Sequence, residues 1–175
     1  MEAIEQAERL KAKEALAFIV PILEKYNFRW VITGGFAAYA YGVPRKLFDI
    51  DIDIETNKDD PKFKQFVGEL TPHITQQLEH FVDQNYDNYN FEITYGAQLI
   101  DICPMTDLKI FNKEAGGYEE FYKNGYPQTE EIDFEGIKLP LLSKELVIKN
   151  KEMLVWQRDI DHRDIAGLKA LLQTI

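Results

Sequence analysis

Residues 30–54 read WVITGGFAAYAYGVPRKLFDIDIDI, and the rest of the chain is read outward from them. Arg29 to Thr33, rich in Trp, Val and Ile, has the composition of a strand. Gly34 and Gly35 end it, and Phe36 to Tyr41 is a short alanine-rich segment suited to a two-turn helix. That helix stops near Gly42, because Pro44 forbids continuation. Phe48 to Ile54 then alternates strictly, which predicts a second strand. Its period of two puts Asp49, Asp51 and Asp53 on one face and Phe48, Ile50, Ile52 and Ile54 on the other.

Aspartate is depleted in strands. Neighbouring carboxylates on one face, on the order of 6–7 Å apart, repel by roughly 2–3 kcal/mol at an effective dielectric near 20. A divalent cation removes that penalty, and Mg²⁺ characteristically takes one or two carboxylates together with substrate phosphates and waters. Gly34 and Gly35 add a second element, since glycine permits positive φ and close backbone approach. The free N–H groups that open the following helix favour an anionic phosphate. A third carboxylate, Asp101, stands between Ile100 and Ile102 in another alternating run, 89–105. If that strand neighbours the first, Asp101 completes a cluster able to hold a second metal or to accept a proton from an attacking hydroxyl.

The length of 175 residues suits one domain. A hydrophobic fraction of 45% with 13% aromatics is that of a folded chain. No apolar run is long enough to cross a bilayer and residues 1–15 lack a signal-peptide layout, so a cytoplasmic protein without membrane contact is expected. Cys103 is the one cysteine, which excludes an internal disulfide; it reads as a small buried hydrophobe. No Cys or His grouping has zinc spacing. The formal charge of −10 disfavours nucleic acid as the acceptor, because proteins that grip a phosphate backbone carry basic surfaces. A metal ion, a cationic small molecule or another protein suits this surface better.

Elsewhere, apolar spacing predicts an N-terminal helix over 3–26, kinked or restarted at Pro21, and a C-terminal helical segment over 143–174. Pro61 with Asp59 and Asp60 starts a helix that runs to Leu70, and Thr71 to Val82 reads as another. Hairpins are expected with turns at Tyr95–Gly96 and Glu135–Gly136. Between them, the polar and aromatic stretch 106–125 suggests a short helix near Tyr118 to Tyr122 and a loop at Gly116–Gly117.

The glycine pair, a short helix, DIDID over 49–53 and LIDI over 99–102 together resemble the nucleotidyltransferases of the DNA polymerase beta superfamily, in particular their small bacterial members. The segment from Gly42 to Asp49 is similar to the family pattern G-x-x-R-x-T-x-D, with Arg45 in place and Leu47 where threonine is usual. LIDICPM, KLPLLSKE and the DIDID run are also similar to small lincosamide nucleotidyltransferases. SKELVIKNKEM and RDIDHRDIAGL resemble the closing helices of the family.

The resemblance implies an α/β (α+β) polymerase-beta-like nucleotidyltransferase fold, a mixed twisted sheet flanked by helices in one domain over 1–175. It implies that Gly34 and Gly35 contact nucleotide phosphates, and that Asp49 and Asp51 bind Mg²⁺. Asp101 binds metal or acts as general base, giving a two-metal site, while Arg45 and Lys151 approach the nucleotide, with Lys149 as the nearby substitute. Asp53 is expected as a bystander at the rim, Asp161 and Asp164 as structural caps, and Arg158 in a salt bridge to the acidic surface. The expected activity is Mg-dependent transfer of an NMP from an NTP, most simply ATP, to a hydroxyl of a small molecule or protein. The alternative is an antitoxin-type or regulatory protein of the same fold that binds or nucleotidylates a partner; a binding module without catalysis would not need the third carboxylate.

Overall fold

The computed structural model describes residues 2–173, so Thr174, the end of the expected C-terminal segment, lies outside them. Helix α1 (Glu2–Lys25) runs unbroken through Pro21. Pro21 and Ala17 both face solvent, so the Ala17 carbonyl, which loses its helical partner, can turn to water. The opposite face of α1 sinks Ala12, Ala15, Leu16, Ile19 and Leu23 fully into the core.

Strand β1 (Trp30–Ile32) leads into α2 (Gly34–Ala40), which begins at the glycine pair rather than after it. Strand β2 is Asp49–Ile54 and α3 is Pro61–Glu69, whose Asp60 cap accepts from the Lys62 and Phe63 N–H groups. The run expected as a helix over 71–82 is instead a single 3₁₀ turn followed by strand β3 (Ile74–Val82). Half-buried Ile74, Gln76 and Leu78 alternate with exposed Thr75, Gln77 and Glu79, so the period is two and not 3.6.

Strands β4 (Tyr86–Tyr95) and β5 (Gln98–Pro104) form the expected hairpin. Strands β6 (Lys109–Asn112) and β7 (Gly117–Glu120) replace the short helix expected near Tyr118. There Tyr118 packs edge-on against Phe111 of its partner strand, a cross-strand aromatic contact that outweighs the local helical pattern. Strands β8 (Thr129–Phe134) and β9 (Ile137–Leu142) turn at Glu135–Gly136 as expected, and α4 (Lys144–Met153) and α5 (Asp159–Leu172) close the chain.

The nine strands of the described residues belong to one sheet in the order β7-β6-β4-β5-β2-β1-β9-β8, with β3 on β4. The pairs β2–β5 and β1–β9 are parallel and the others antiparallel, so the sheet is mixed. Ile50, Ile52, Ile54, Phe91, Ile93, Ile100 and Ile102 are all fully buried and form the inner face of its centre. Phe63 and Phe66 of α3 stack edge-on against Phe91 and Phe28, each contributing roughly 1.5–3 kcal/mol by burial. Because those positions lie on one face of β2, β4 and β5, the alternate residues of the same strands must line the other.

Candidate active site

On that other face lies a cavity of about 440 Å³. The parallel register of β2 and β5 sets Asp51 directly opposite Asp101, with Asp49 two residues back opposite Leu99. Sequence pattern alone could not settle whether the two strands were neighbours; the pairing brings all three carboxylates to one wall. On the antiparallel β4, Glu92 is the partner of Asp101.

The glycine pair stands against the same wall. Thr33 N–H donates to the Asp51 carbonyl at 3.0 Å, which fixes the end of β1 beside β2. Gly34 has φ +60, and a Cβ there would come within 1.9 Å of Asp51 Oδ2. The Gly35 N–H donates to the Asp51 carboxylate, and a Cβ on Gly35 would strike the Arg45 guanidinium at 2.4 Å. Positive φ and the close Asp51 carboxylate therefore demand glycine at 34, and the buried Arg45 guanidinium leaves no room for a side chain at 35.

Burial, with the charges of Asp49 and Asp101 added, pushes the Asp51 carboxyl up to about 7. Burial likewise pushes Asp101 to about 7, opposed by a hydrogen bond from Asn90 Nδ2 at 2.8 Å and reinforced by Glu92 and neighbouring aspartates. Asp53 is not at the rim: it is 6% exposed, accepts from the Tyr122 hydroxyl, and is raised to about 7 by burial against that bond. Tyr86 stands near this group, its hydroxyl pushed up by burial and by Asp51 and Asp53.

A second cluster, of opposite sign, joins α4 and α5 to the cavity. Buried Asp164 pairs with Arg45 and, at 3.0 Å, with Lys151 Nζ. Buried Asp161 takes Lys151 Nζ at 2.7 Å and Arg158 Nε at 3.0 Å, and its Oδ2 also accepts the Arg158 backbone N–H at 3.0 Å. Burial works to raise Asp161, but the Arg158 and Lys151 bonds prevail and hold it well below the usual carboxylate range. Three cations face two carboxylates, leaving one surplus positive charge. Arg158 is the exposed member, and beyond its bonds to Asp161 its guanidinium feels Asp49 and Asp51. Arg158 thus pairs inward with Asp161 rather than with the outer surface, and Asp161 and Asp164 are holders of cations as well as helix residues.

All seven residues singled out from the sequence, Gly34, Gly35, Arg45, Asp49, Asp51, Asp101 and Lys151, line the one cavity. Lys149 does not. Asn90, Tyr122, Tyr86 and Trp156 were not foreseen. Asn90 had a signal: Tyr86, Asn88, Asn90 and Glu92 alternate with Phe91 and Ile93, which predicts a polar face on β4. The Oδ1 atoms of Asn88 and Asn90 are buried there without a partner. Tyr122 lies in an irregular segment and gave no such signal.

Among the described residues no three His, Cys, Asp or Glu side chains converge tightly enough to hold a metal by themselves. The donor set nevertheless fits a hard divalent cation delivered with phosphates, which requires only one or two carboxylates from the protein. Buried carboxylates raised to about 7 by burial and by one another are an anionic wall short of a counter-ion.

No protein-family model matches the sequence, and no curated protein matches it. Among solved structures, the chain is similar to a candidate nucleotidyltransferase from Thermotoga maritima, at 19% identity over 95% of this chain and 96% of that one, with a TM-score of 0.66. It is similar to the lincosamide antibiotic adenylyltransferase LnuA with lincomycin bound, at 21% identity over 89% and 95% of the two chains, TM-score 0.57. It is also similar to ANT(2″)-Ia in complex with adenylyl-2″-tobramycin, at 18% identity over 92% and 90%, TM-score 0.57. Identities this low speak to architecture, and over nearly its whole length this chain has the nucleotidyltransferase fold.

Proposed function

We propose that the protein is an enzyme that transfers an NMP from an NTP, most simply ATP, to a hydroxyl of a small acceptor molecule. The observation that carries this reading is the in-register pair Asp51 and Asp101, with Asp49 beside them, facing a cavity flanked by the Gly34–Gly35 backbone and by Arg158 and Lys151. One wall is anionic and suits a divalent cation; the other side is cationic or bare backbone and suits phosphates.

A bound Mg²⁺ on Asp49 and Asp51 would neutralise charge on the phosphate oxygens and orient them. The remaining roles fall to the chain itself. Gly34 and Gly35, lacking side chains, let the polyphosphate approach the backbone. Arg158 offers its outward guanidinium N–H groups, and Lys151, fixed between Asp161 and Asp164, adds a positioned positive charge. Asp101, raised to about 7 and oriented by Asn90, accepts in its ionised form the proton of the acceptor hydroxyl. The freed oxygen forms a bond to the α-phosphorus, the bond from that phosphorus to its bridging oxygen breaks, and pyrophosphate leaves with the electron pair.

A cavity of about 440 Å³ is within the size range of small-molecule sites. The antibiotic ligands of LnuA and ANT(2″)-Ia point the same way. The test is incubation with α-labelled NTPs, Mg²⁺ and a panel of hydroxylated antibiotics beside a cell extract. Label should pass to a low-molecular-weight product, and Asp49→Asn or Asp51→Asn should abolish it. Unchanged labelling in those variants, or label confined to protein, would overturn the reading.

A further inference from the structure

The segment joining α4 to α5 is Leu154-Val155-Trp156-Gln157-Arg158, with extended backbone at both ends: φ −55, ψ 133 at Leu154 and φ −81, ψ 160 at Arg158. Alternate residues of it, Leu154, Trp156 and Arg158, line the cavity. Asn85, itself buried, clamps the segment. Its Oδ1 accepts the Val155 N–H at 2.8 Å and the Trp156 N–H at 3.1 Å, while its Nδ2 donates to the Trp156 carbonyl at 3.2 Å. Gln157 Nε2 adds a bond to the Lys151 carbonyl at 2.6 Å. Despite this anchoring the Trp156 side chain is left 55% exposed.

An isolated exposed tryptophan is ordinary. One whose backbone is fixed by a buried asparagine and which lines the cavity of the carboxylates is a preorganised flat surface. What it faces is indicated by Arg158, which lines the same cavity and whose guanidinium senses Asp49 and Asp51. The chain bends at Val155–Trp156, which is how two consecutive N–H groups reach the one Asn85 oxygen, and it then straightens at Arg158. We propose that Trp156 is the stacking platform for the nucleobase of the bound NTP, whose phosphates run toward Arg158 and the glycine pair. This rests on the nucleotidyl-transfer reading of the same cavity. Because every base has a π-face, the platform supplies affinity with little choice among bases.

The chain holds two tryptophans, and the other, Trp30, is buried, so Trp156 can be observed by its fluorescence. Titrating ATP with Mg²⁺ should quench the wild type and leave Trp156→Phe nearly unchanged. By calorimetry, Trp156→Ala should weaken ATP binding by about 5- to 150-fold, with Trp156→Phe between it and the wild type, while tripolyphosphate binds all three alike. Equal ATP affinity in the wild type and Trp156→Ala would overturn the proposal. So would a loss as large for tripolyphosphate as for ATP, or quenching produced by the acceptor and not by ATP. If calorimetry shows no NTP binding to the wild type, the nucleotidyl-transfer reading itself fails and the platform with it.

Discussion

Replacing Gly34 by alanine tests the junction on which the whole site depends. At φ +60 an alanine pays about 1–2 kcal/mol for the left-handed conformation, offset by about 0.4–1 kcal/mol of lost freedom in the unfolded chain. Its Cβ would also stand 1.9 Å from Asp51 Oδ2, so the carboxylate must swing away and give up the Gly35 N–H. A hydrogen bond to a charged group is worth about 1.5–3 kcal/mol, which brings the net cost to about 2–4 kcal/mol. Gly116 supplies the control. Its φ is +67 and an added Cβ there meets nothing within 4 Å, so Gly116→Ala carries the backbone cost alone, about 1 kcal/mol. Urea denaturation of both variants at neutral pH in EDTA measures the difference. Nucleotidyl transfer should also fall about 100-fold or more in Gly34→Ala and not in Gly116→Ala, since misplacing a reacting group by an ångström costs about that much. Equal stability losses in the two variants, with transfer intact in both, would refute the contact between the glycine turn and Asp51.

Asp51→Asn should raise the stability of the metal-free protein at pH 7–8, because it removes one of the mutually repelling buried charges, while abolishing transfer; a destabilised variant in urea denaturation would count against the repulsion. Asp51, Asp53 and Asp101 have folded-state values near 7, above the unfolded 3.8, so the folded state binds more protons between these limits. Stability in EDTA should therefore fall as pH rises from about 4 through 7, and added Mg²⁺ should restore it at the alkaline end; a stability that climbs over that window would contradict the assignment. Asp164→Asn leaves Arg45 and Lys151 short of a buried partner and should cost about 3–5 kcal/mol in denaturation. Tyr122→Phe removes the hydrogen bond that restrains Asp53, so its carboxyl should titrate higher, as read by carbon NMR of the aspartate side chains.

Much of the centre of the fold was legible in residues 30–54, because strict alternation and paired glycines are local signals with a single reading. What was not legible depended on partners. Ile74 to Val82 is a strand because it pairs with β4, and Tyr118 joins a strand through a contact with Phe111 that no local propensity encodes. Within the site, Asp49, Asp51 and Asp101 announced themselves as acidic residues in strands. Their arrangement did not, because register between β2 and β5 is set by the whole sheet. Asp53 shows the limit most clearly. Its position in the stripe is the same as that of Asp51, yet Tyr122, 69 residues away in an irregular loop, buries it in a private hydrogen bond.

The central claim is that the α-phosphorus is the atom attacked. Supplying ATP labelled separately at the α and γ positions, with Mg²⁺ and an acceptor found in the panel, decides it. The account predicts α label in the product and γ label released in pyrophosphate; γ label in the product, or in free phosphate, would contradict it.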